Sequence, residues 1–244
     1  MRIEIAGLET LPEVCPGDDL PSVIRTAATR EHQPIDGSVL VAVAQKIVSK
    51  AEGAIVDLRK IEPSAMARTW AAAWGKDPRL IEVILAQSRR IVKMDRGVLV
   101  TETRNGLVCA NSGVDQSNTG GDDLATVLPE NPDASAARLH VALGCGAVVV
   151  TDTFGRPWRE GLVDVAIGVA GLDALEDYRG SADRHGRPLV GTIIAVADQF
   201  AAAAGLLMRK RDGCPVVMLR GLRWRAARGS ARDLIRRPEQ DLFR

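Results

Sequence analysis

The chain lacks most of the features by which a membrane protein, a secreted protein or a common enzyme class is first recognised. No apolar run approaches the ~20 residues needed to span a bilayer, and no basic segment leads into an apolar core at the start, so neither a membrane anchor nor an export signal is expected. Cysteine is scarce. Cys15, Cys109, Cys145 and Cys214 lie far apart, form no Cys-x-x-Cys pair and mostly sit in apolar context, which argues against a disulfide framework or a zinc knuckle and fits a reducing cytoplasm. The histidines, His32, His140 and His185, are scattered. With no Gly-x-Ser-x-Gly elbow and no His-Glu-x-x-His, a serine-hydrolase or histidine-centred mechanism is disfavoured. The glycine-rich phosphate loop ending in Gly-Lys-Ser/Thr and the dinucleotide-binding glycine set are both missing. Charge of either sign is barely in excess, at a net +1.

What is present suits an ordinary globular protein. With 244 residues, 46% of them hydrophobic and 26% charged, the chain can bury one large core or two smaller ones. The segment from Arg209 onward is locally basic, with eleven Lys/Arg against four Asp/Glu. Such a tail can attract a polyanion. Only Trp224 and Phe243 offer stacking surfaces in it, so a solvated arginine-rich helix with some dimer contacts is the simpler reading; no nucleic-acid partner is expected.

Ser38 to Ala44 is a continuous apolar run of strand length, as for a strand covered on both faces. Alanine-rich patterns from Ser64 to Trp74 and from Pro78 to Ser88 predict helices, the second opened by Asp77 as N-cap with Pro78 following. Gly97–Glu102 and Leu107–Ala110 flank Arg104-Asn105-Gly106, a tight-turn signal, and read as a hairpin whose second strand leads towards Asp115. A helix is predicted from Asn131 to Leu143. Gly146–Thr151 is a buried strand running to Asp152, Gly191–Val196 is extended, Asp198–Met208 is helical and Cys214–Leu219 is extended. The polar, glycine-containing stretch from Gly171 to Pro188 reads as a surface excursion between subdomains. Strands and helices mix without a regular βαβ alternation, so the expected class is α+β: mixed sheets with packed helices, in two subdomains.

Two polar segments set into apolar runs carry the chemistry, Cys109 to Asn118 and Thr151 to Arg159. Each is expected to place a carboxylate, Asp115 or Asp152, among hydroxyls and amides in a loop where a strand ends. Hard divalent cations take such oxygen donors and share their shell with phosphates. Asp115, Asn118 and the glycine pair Gly120-Gly121 equally suit an Asx turn that satisfies its own backbone, and the residues alone leave both readings standing. Arg156 and Arg159, flanking Pro157-Trp158, are candidates to grip an anion by bidentate contacts, or simply structural arginines. Lys46 and Lys50, with Ser49, follow a buried strand and are candidate partners for nucleotide phosphates.

Together, Leu11-Pro12-Glu13-Val14, Val48-Ser49-Lys50-Ala51-Glu52-Gly53, Ala110-Asn111-Ser112-Gly113-Val114-Asp115 with Ser117-Asn118, Thr151–Arg159 and Ile194–Asp198 resemble, in order and over nearly the whole chain, the coenzyme F420:L-glutamate ligases. The resemblance implies joining of L-glutamate through its α-amine to the deazaflavin precursor F420-0, then γ-linked additions, with GTP cleaved to GDP and phosphate. It implies that Asp115 and Asp152 hold one divalent cation, Mg2+ or Mn2+, that Thr153 touches a second, and that K+ assists. Leu11, Pro12, Glu13, Val14, Gln45, Lys46, Lys50 and Asn118 would contact GTP, together with Met208, Arg209, Lys210, Arg211, Asp212, Gly213, Cys214 and Pro215. The family's unusual α+β ligase fold forms an intertwined homodimer, and residues 1–244 would be a single ligase domain without the fused nitroreductase-like domain of some relatives.

One departure stands out. Where relatives usually have Met-Gly and then a residue reaching the second metal, this chain has Met208-Arg209-Lys210. A protonated ammonium cannot ligate a cation. Either other groups hold that metal, or Lys210 sets its charge against phosphate. The rival readings are a metal-dependent phosphohydrolase built on the same aspartates, and a nucleotide-sensing or nucleic-acid-binding module using the basic tail.

Overall fold

The computed structural model of the chain describes residues 2–209 and 213–241. The elements run β1 (Glu4–Gly7), α1 (Leu20–Arg30), β2 (Leu40–Ala44), α2 (Gln45–Ala51), β3 (Ile55–Asp57), α3 (Ala65–Trp74), α4 (Pro78–Gln87), β4 (Ser88–Asp95), β5 (Val98–Thr103), β6 (Val108–Ala110), β7 (Leu124–Thr126), α5 (Pro132–Leu143), β8 (Ala147–Arg156), β9 (Arg159–Ala170), β10 (Glu176–Asp177), β11 (Ile193–Ile194), α6 (Val196–Gly205) and β12 (Val216–Arg220). The class is α+β with several sheets.

The central sheet has the order β1-β12-β2-β8-β9. Only β2 and β8 pair in parallel, from Leu40↔Ala147 to Ala44↔Thr151, and the other neighbours are antiparallel. Successive strand residues point to opposite faces, and here both faces are covered. Val41, Val43, Val148, Val150, Val216 and Met218 pack towards Ile24 and Ala27 of α1 and Leu139 of α5. Leu40, Ala42, Ala147, Val149, Val217 and Leu219 pack on Ala197, Phe200, Ala201 and Ala204 of α6. Each such Val, Leu, Ile, Phe or Met side chain contributes about 1.5–3 kcal/mol by leaving water, which is why the strands read as unbroken apolar runs. A third apolar cluster gathers Leu58, Ile81, Ile84, Leu99 and Val127 with Ala67 and Ala71, joining α3 and α4 to the three-stranded sheet β4-β5-β6 and the pair β3-β7.

The helix ends follow their capping residues. Asp77 accepts from the Arg79 amide at 2.8 Å, Asn131 from Ala134 at 3.1 Å and Ser64 from Ala67 at 3.2 Å, each satisfying one of the donors that a first turn leaves unpaired. The Asn105-Gly106 hairpin forms as expected, joining β5 to β6.

Several elements differ from expectation. Asp152 is not in a loop at a strand end, because β8 continues to Arg156, where Thr153 and Phe154 pair with β9. Strand β9 itself, β4, α1 and α2 were not anticipated. Ser88 begins a strand rather than ending a helix, since Asp95-Arg96-Gly97 turns the chain back into β5, with positive φ of 49° and 73° at Arg96 and Gly97. The extended stretch expected over 191–196 shrinks to Ile193–Ile194, and α6 starts earlier, at Val196, and ends at Gly205. No arginine-rich helix forms after β12 among the described residues. Instead the segment lies on the body: Arg225 pairs with Asp173 at 3.2 Å, Arg220 donates to the Pro34 carbonyl at 2.9 Å, and Trp224 and Leu234 pack on the α6 side of the sheet.

Candidate functional site

Strand β2 ends at Ala44, opposite Thr151, and the chain turns at once into α2. From Asp152 onward β8 therefore has no strand on its β2 side among the described residues. A cleft of about 400 Å³ opens against that edge, so residues from both faces of β8 reach it, which explains how the consecutive Asp152 and Thr153 both line it.

Most of the residues singled out in the sequence meet here. Leu11, Pro12, Glu13 and Val14 form one wall, Gln45, Lys46 and Lys50 come from α2, Asp115 and Asn118 from the loop after β6, Asp152 and Thr153 from β8, and Met208, Arg209, Gly213, Cys214 and Pro215 from the approach to β12. Lys210, Arg211 and Asp212 lie outside the described residues. Arg156 and Arg159 do not reach the cleft. Arg156 donates to the Glu160 carbonyl at 2.7 Å, and both belong to the hairpin turn whose tip exposes Trp158.

Lys46 and Lys50 are four apart, on one face of α2. Lys46 Nζ donates to Asp115 Oδ2 at 2.7 Å and to the carbonyl and hydroxyl of Ser117 at 2.8 and 2.6 Å. The Ser117 amide and hydroxyl donate to the same carboxylate, both at 2.8 Å. Burial pushes the Asp115 carboxyl upward, but Lys46 and Ser117 together outweigh it and hold it below the usual carboxylate range. Asp115 does close an Asx turn, and the same carboxylate also faces the cleft. Lys50, almost fully buried, pairs with the exposed Glu13, and buried Gln45 accepts from Ser49 Oγ at 2.8 Å.

The approach to Asp115 is unusual. Asn111, Ser112 and Gly113 have φ of 55°, 52° and 69°, and left-handed backbone at a non-glycine residue is costly. The buried Ser112 hydroxyl bonds the hydroxyls of Ser88 and Thr101, both at 2.7 Å, which pins the turn. Beside it, burial and the nearby Asp152 charge push the Cys109 thiol up to about 12, so it stays protonated.

Asp152 Oδ1 accepts from the Thr153 amide at 2.8 Å, and Thr153 Oγ1 donates to Asp164 Oδ1 at 2.7 Å. Asp164, also on the cleft wall, was missed in the sequence. Its signal was a lone carboxylate in the otherwise apolar run Leu162–Ile167. A regular hairpin closed at Arg156↔Arg159 would set Leu162 opposite Thr153, but Glu160 and Gly161 are extra on β9 and bring Asp164 there.

The donors fit a hard divalent cation: two carboxylates and a hydroxyl, with burial pushing both the Cys109 thiol and the cleft-lining Cys214 thiol upward. Among the described residues no three Asp, Glu, His or Cys stand close enough to hold a metal by themselves. That matches the Mg2+ manner of binding through one or two carboxylates with water and substrate phosphate completing the shell.

Residues 9–221 match the family model described as F420-0:Gamma-glutamyl ligase. The coenzyme F420:L-glutamate ligase of Methanothermobacter thermautotrophicus is 46% identical over 253 residues, covering all of both chains. That of Methanopyrus kandleri is 46% identical over 255 residues, covering all of this chain and 98% of the relative. That of Methanocaldococcus jannaschii is 40% identical over 249 residues, covering all of this chain and 97% of the relative.

Proposed function

The chain belongs to the F420-0:gamma-glutamyl ligase family, and on that premise we propose that it joins L-glutamate to F420-0, and then adds further γ-linked glutamates, at the cleft between α2 and β8, using GTP. The observation that carries the reading is the meeting of Asp115, Asp152 and Thr153 with Lys46 and Lys50 around one opening. A carboxylate does not yield an amide directly, because oxide is a poor leaving group. Transfer of the γ-phosphoryl to the F420-0 carboxylate gives an acyl phosphate. The glutamate amine attacks its carbonyl carbon, and phosphate leaves.

Such a reaction needs positioning and charge compensation more than acid–base catalysis, in keeping with a cleft that no histidine lines among the described residues. Asp115 and Asp152 would hold one Mg2+ or Mn2+ and Thr153 would touch a second, and when bound these would neutralise phosphate charge and keep the attacking and leaving oxygens in line. Lys46 and Lys50 would turn towards phosphate oxygens, with Lys46 exchanging Asp115 for the nucleotide. Leu11–Val14, Gln45, Asn118 and the 208–215 segment would complete the GTP pocket, and K+ would assist. The proposal extends to a homodimer of single ligase domains in two subdomains, working in the cytoplasm. Among the described residues no helix is long and apolar enough to cross a membrane. The phosphohydrolase alternative is not favoured, since the family and these relatives are glutamate ligases.

Mass spectrometry of the chain incubated with F420-0, L-glutamate, GTP and Mg2+ or Mn2+, with each component omitted in turn, tests this. A deazaflavin heavier by one or more glutamyl units, dependent on GTP and metal, is expected. Phosphate release without glutamate and without mass gain would return the phosphohydrolase. Asp152→Asn is expected to abolish ligation with the fold intact, and full turnover in that variant would remove the proposed metal site.

A further inference from the structure

Thr153 and Asp164 are direct partners across β8 and β9, and the Thr153 hydroxyl donates its proton to Asp164 Oδ1 at 2.7 Å. A hydroxyl has one proton and two lone pairs. Once the proton is committed to Asp164, Thr153 Oγ1 has only lone pairs to offer the cleft: it is an acceptor for a cation and no donor to a phosphate.

The other oxygen of Asp164 is held by a different device. A β-carbon on residue 205 would lie 2.1 Å from Asp164 Oδ2. Residue 205 is a glycine at the end of α6, directly after four alanines, where alanine is the better helix former. Gly205 is not among the residues with positive φ, so its backbone does not require glycine. The space does, because the Asp164 carboxylate occupies it.

We propose that Asp164 is a positioning residue for the reaction: it takes the Thr153 proton so that Thr153 Oγ1 meets a divalent cation with lone pairs only, and the notch at Gly205 fixes the carboxylate for that task. This rests on the reading of the cleft as a cation site that includes Thr153.

The test is Mn2+ binding to the full-length chain, metal alone, followed by electron paramagnetic resonance of free Mn2+, with thermal melts of every variant. Thr153→Val and Asp164→Ala are each expected to weaken binding about 10–100-fold, as for residues that orient a metal ligand. The double variant is expected to be no weaker than either single one, since the two act as a unit. Asp164→Asn, which keeps an acceptor for the hydroxyl, should recover most of the loss, and Gly205→Ala should weaken binding without touching the cleft. Additive losses, or an Asp164→Asn as weak as Asp164→Ala, would mean that the carboxylate acts on the cation directly, and would overturn the proposal. So would Asp164 variants that keep wild-type affinity while Asp152→Asn loses it, an outcome that leaves the cation site standing. Absence of Mn2+ binding in the wild-type chain, with metal alone and then with GTP added against a protein-free Mn2+–GTP control, would overturn both readings. If Asp164→Ala does not fold, Asp164→Asn and Thr153→Val carry the comparison.

Discussion

Asp115 is held in its charged form by one ammonium, one amide and one hydroxyl. Its carboxyl lies below the usual range in the folded chain, so its contribution to stability is present above the unfolded value of about 4 and is lost as pH falls through the lower folded value. Asp115→Asn is therefore expected to melt below the wild type at pH 7, with the gap closing below about pH 4. Parallel melts across that window check it. A gap that did not narrow at all as pH fell below about 4 would assign the stability to packing instead.

At the scale of elements, Asp133 does for architecture what Asp115 does for the cleft. From the first turn of α5 its carboxylate accepts from the Val169 amide of β9 at 2.9 Å, from the Ala231 amide at 3.0 Å and from the Ser230 hydroxyl. One side chain thus ties a helix, a strand and the C-terminal segment. Asp133→Ala is expected to cost about 2–4 kcal/mol, since hydrogen bonds to charged groups are worth about 1.5–3 kcal/mol each and water replaces part of the loss. Denaturant midpoints measure it, and turnover of the folded variant should stay near wild type, since Asp133 is outside the cleft. Elements of this kind were unevenly legible in the sequence. The helices opened by Asp77 and Asn131 and the strands buried on both faces announced themselves, because caps and apolar runs are local, whereas α1 was missed despite its Asp19 cap. Strand β9 was hidden behind Asp152's polar neighbours, and its register depends on the extra Glu160 and Gly161, which no periodicity reveals. The basic tail suggested a helix, yet Ser230 and Ala231 are held by a residue about a hundred positions earlier.

The whole molecule converges on its cleft from five separate stretches, residues 11–14, 44–50, 115–118, 151–153 with Asp164, and 208–209 with 213–215. Their polar motifs were readable one at a time, and only the family resemblance, with no help from spacing or periodicity, put them at one site. Because they are distant in the chain, a ligand bridging them binds only the folded state. Mg2+ and GTP at a hundred times the dissociation constant should add about 2.7 kcal/mol, or roughly 5–10 °C in melting temperature for a chain of this size. GTP without metal should shift it less, and Asp152→Asn should abolish the difference that metal makes.

The order β1-β12-β2-β8-β9 has one more consequence, for the chain as it is made. Strand β12, formed by residues 216–220, lies between two strands formed by residues 4–7 and 40–44. A ribosome adding ~5–20 residues per second leaves the inner edge of β2 unpaired for roughly 10 to 35 s after that strand has emerged. That edge of β2, with β1, which pairs only with β12, is for that interval open to pairing with a neighbour, and its closure waits on the last strand of the described chain.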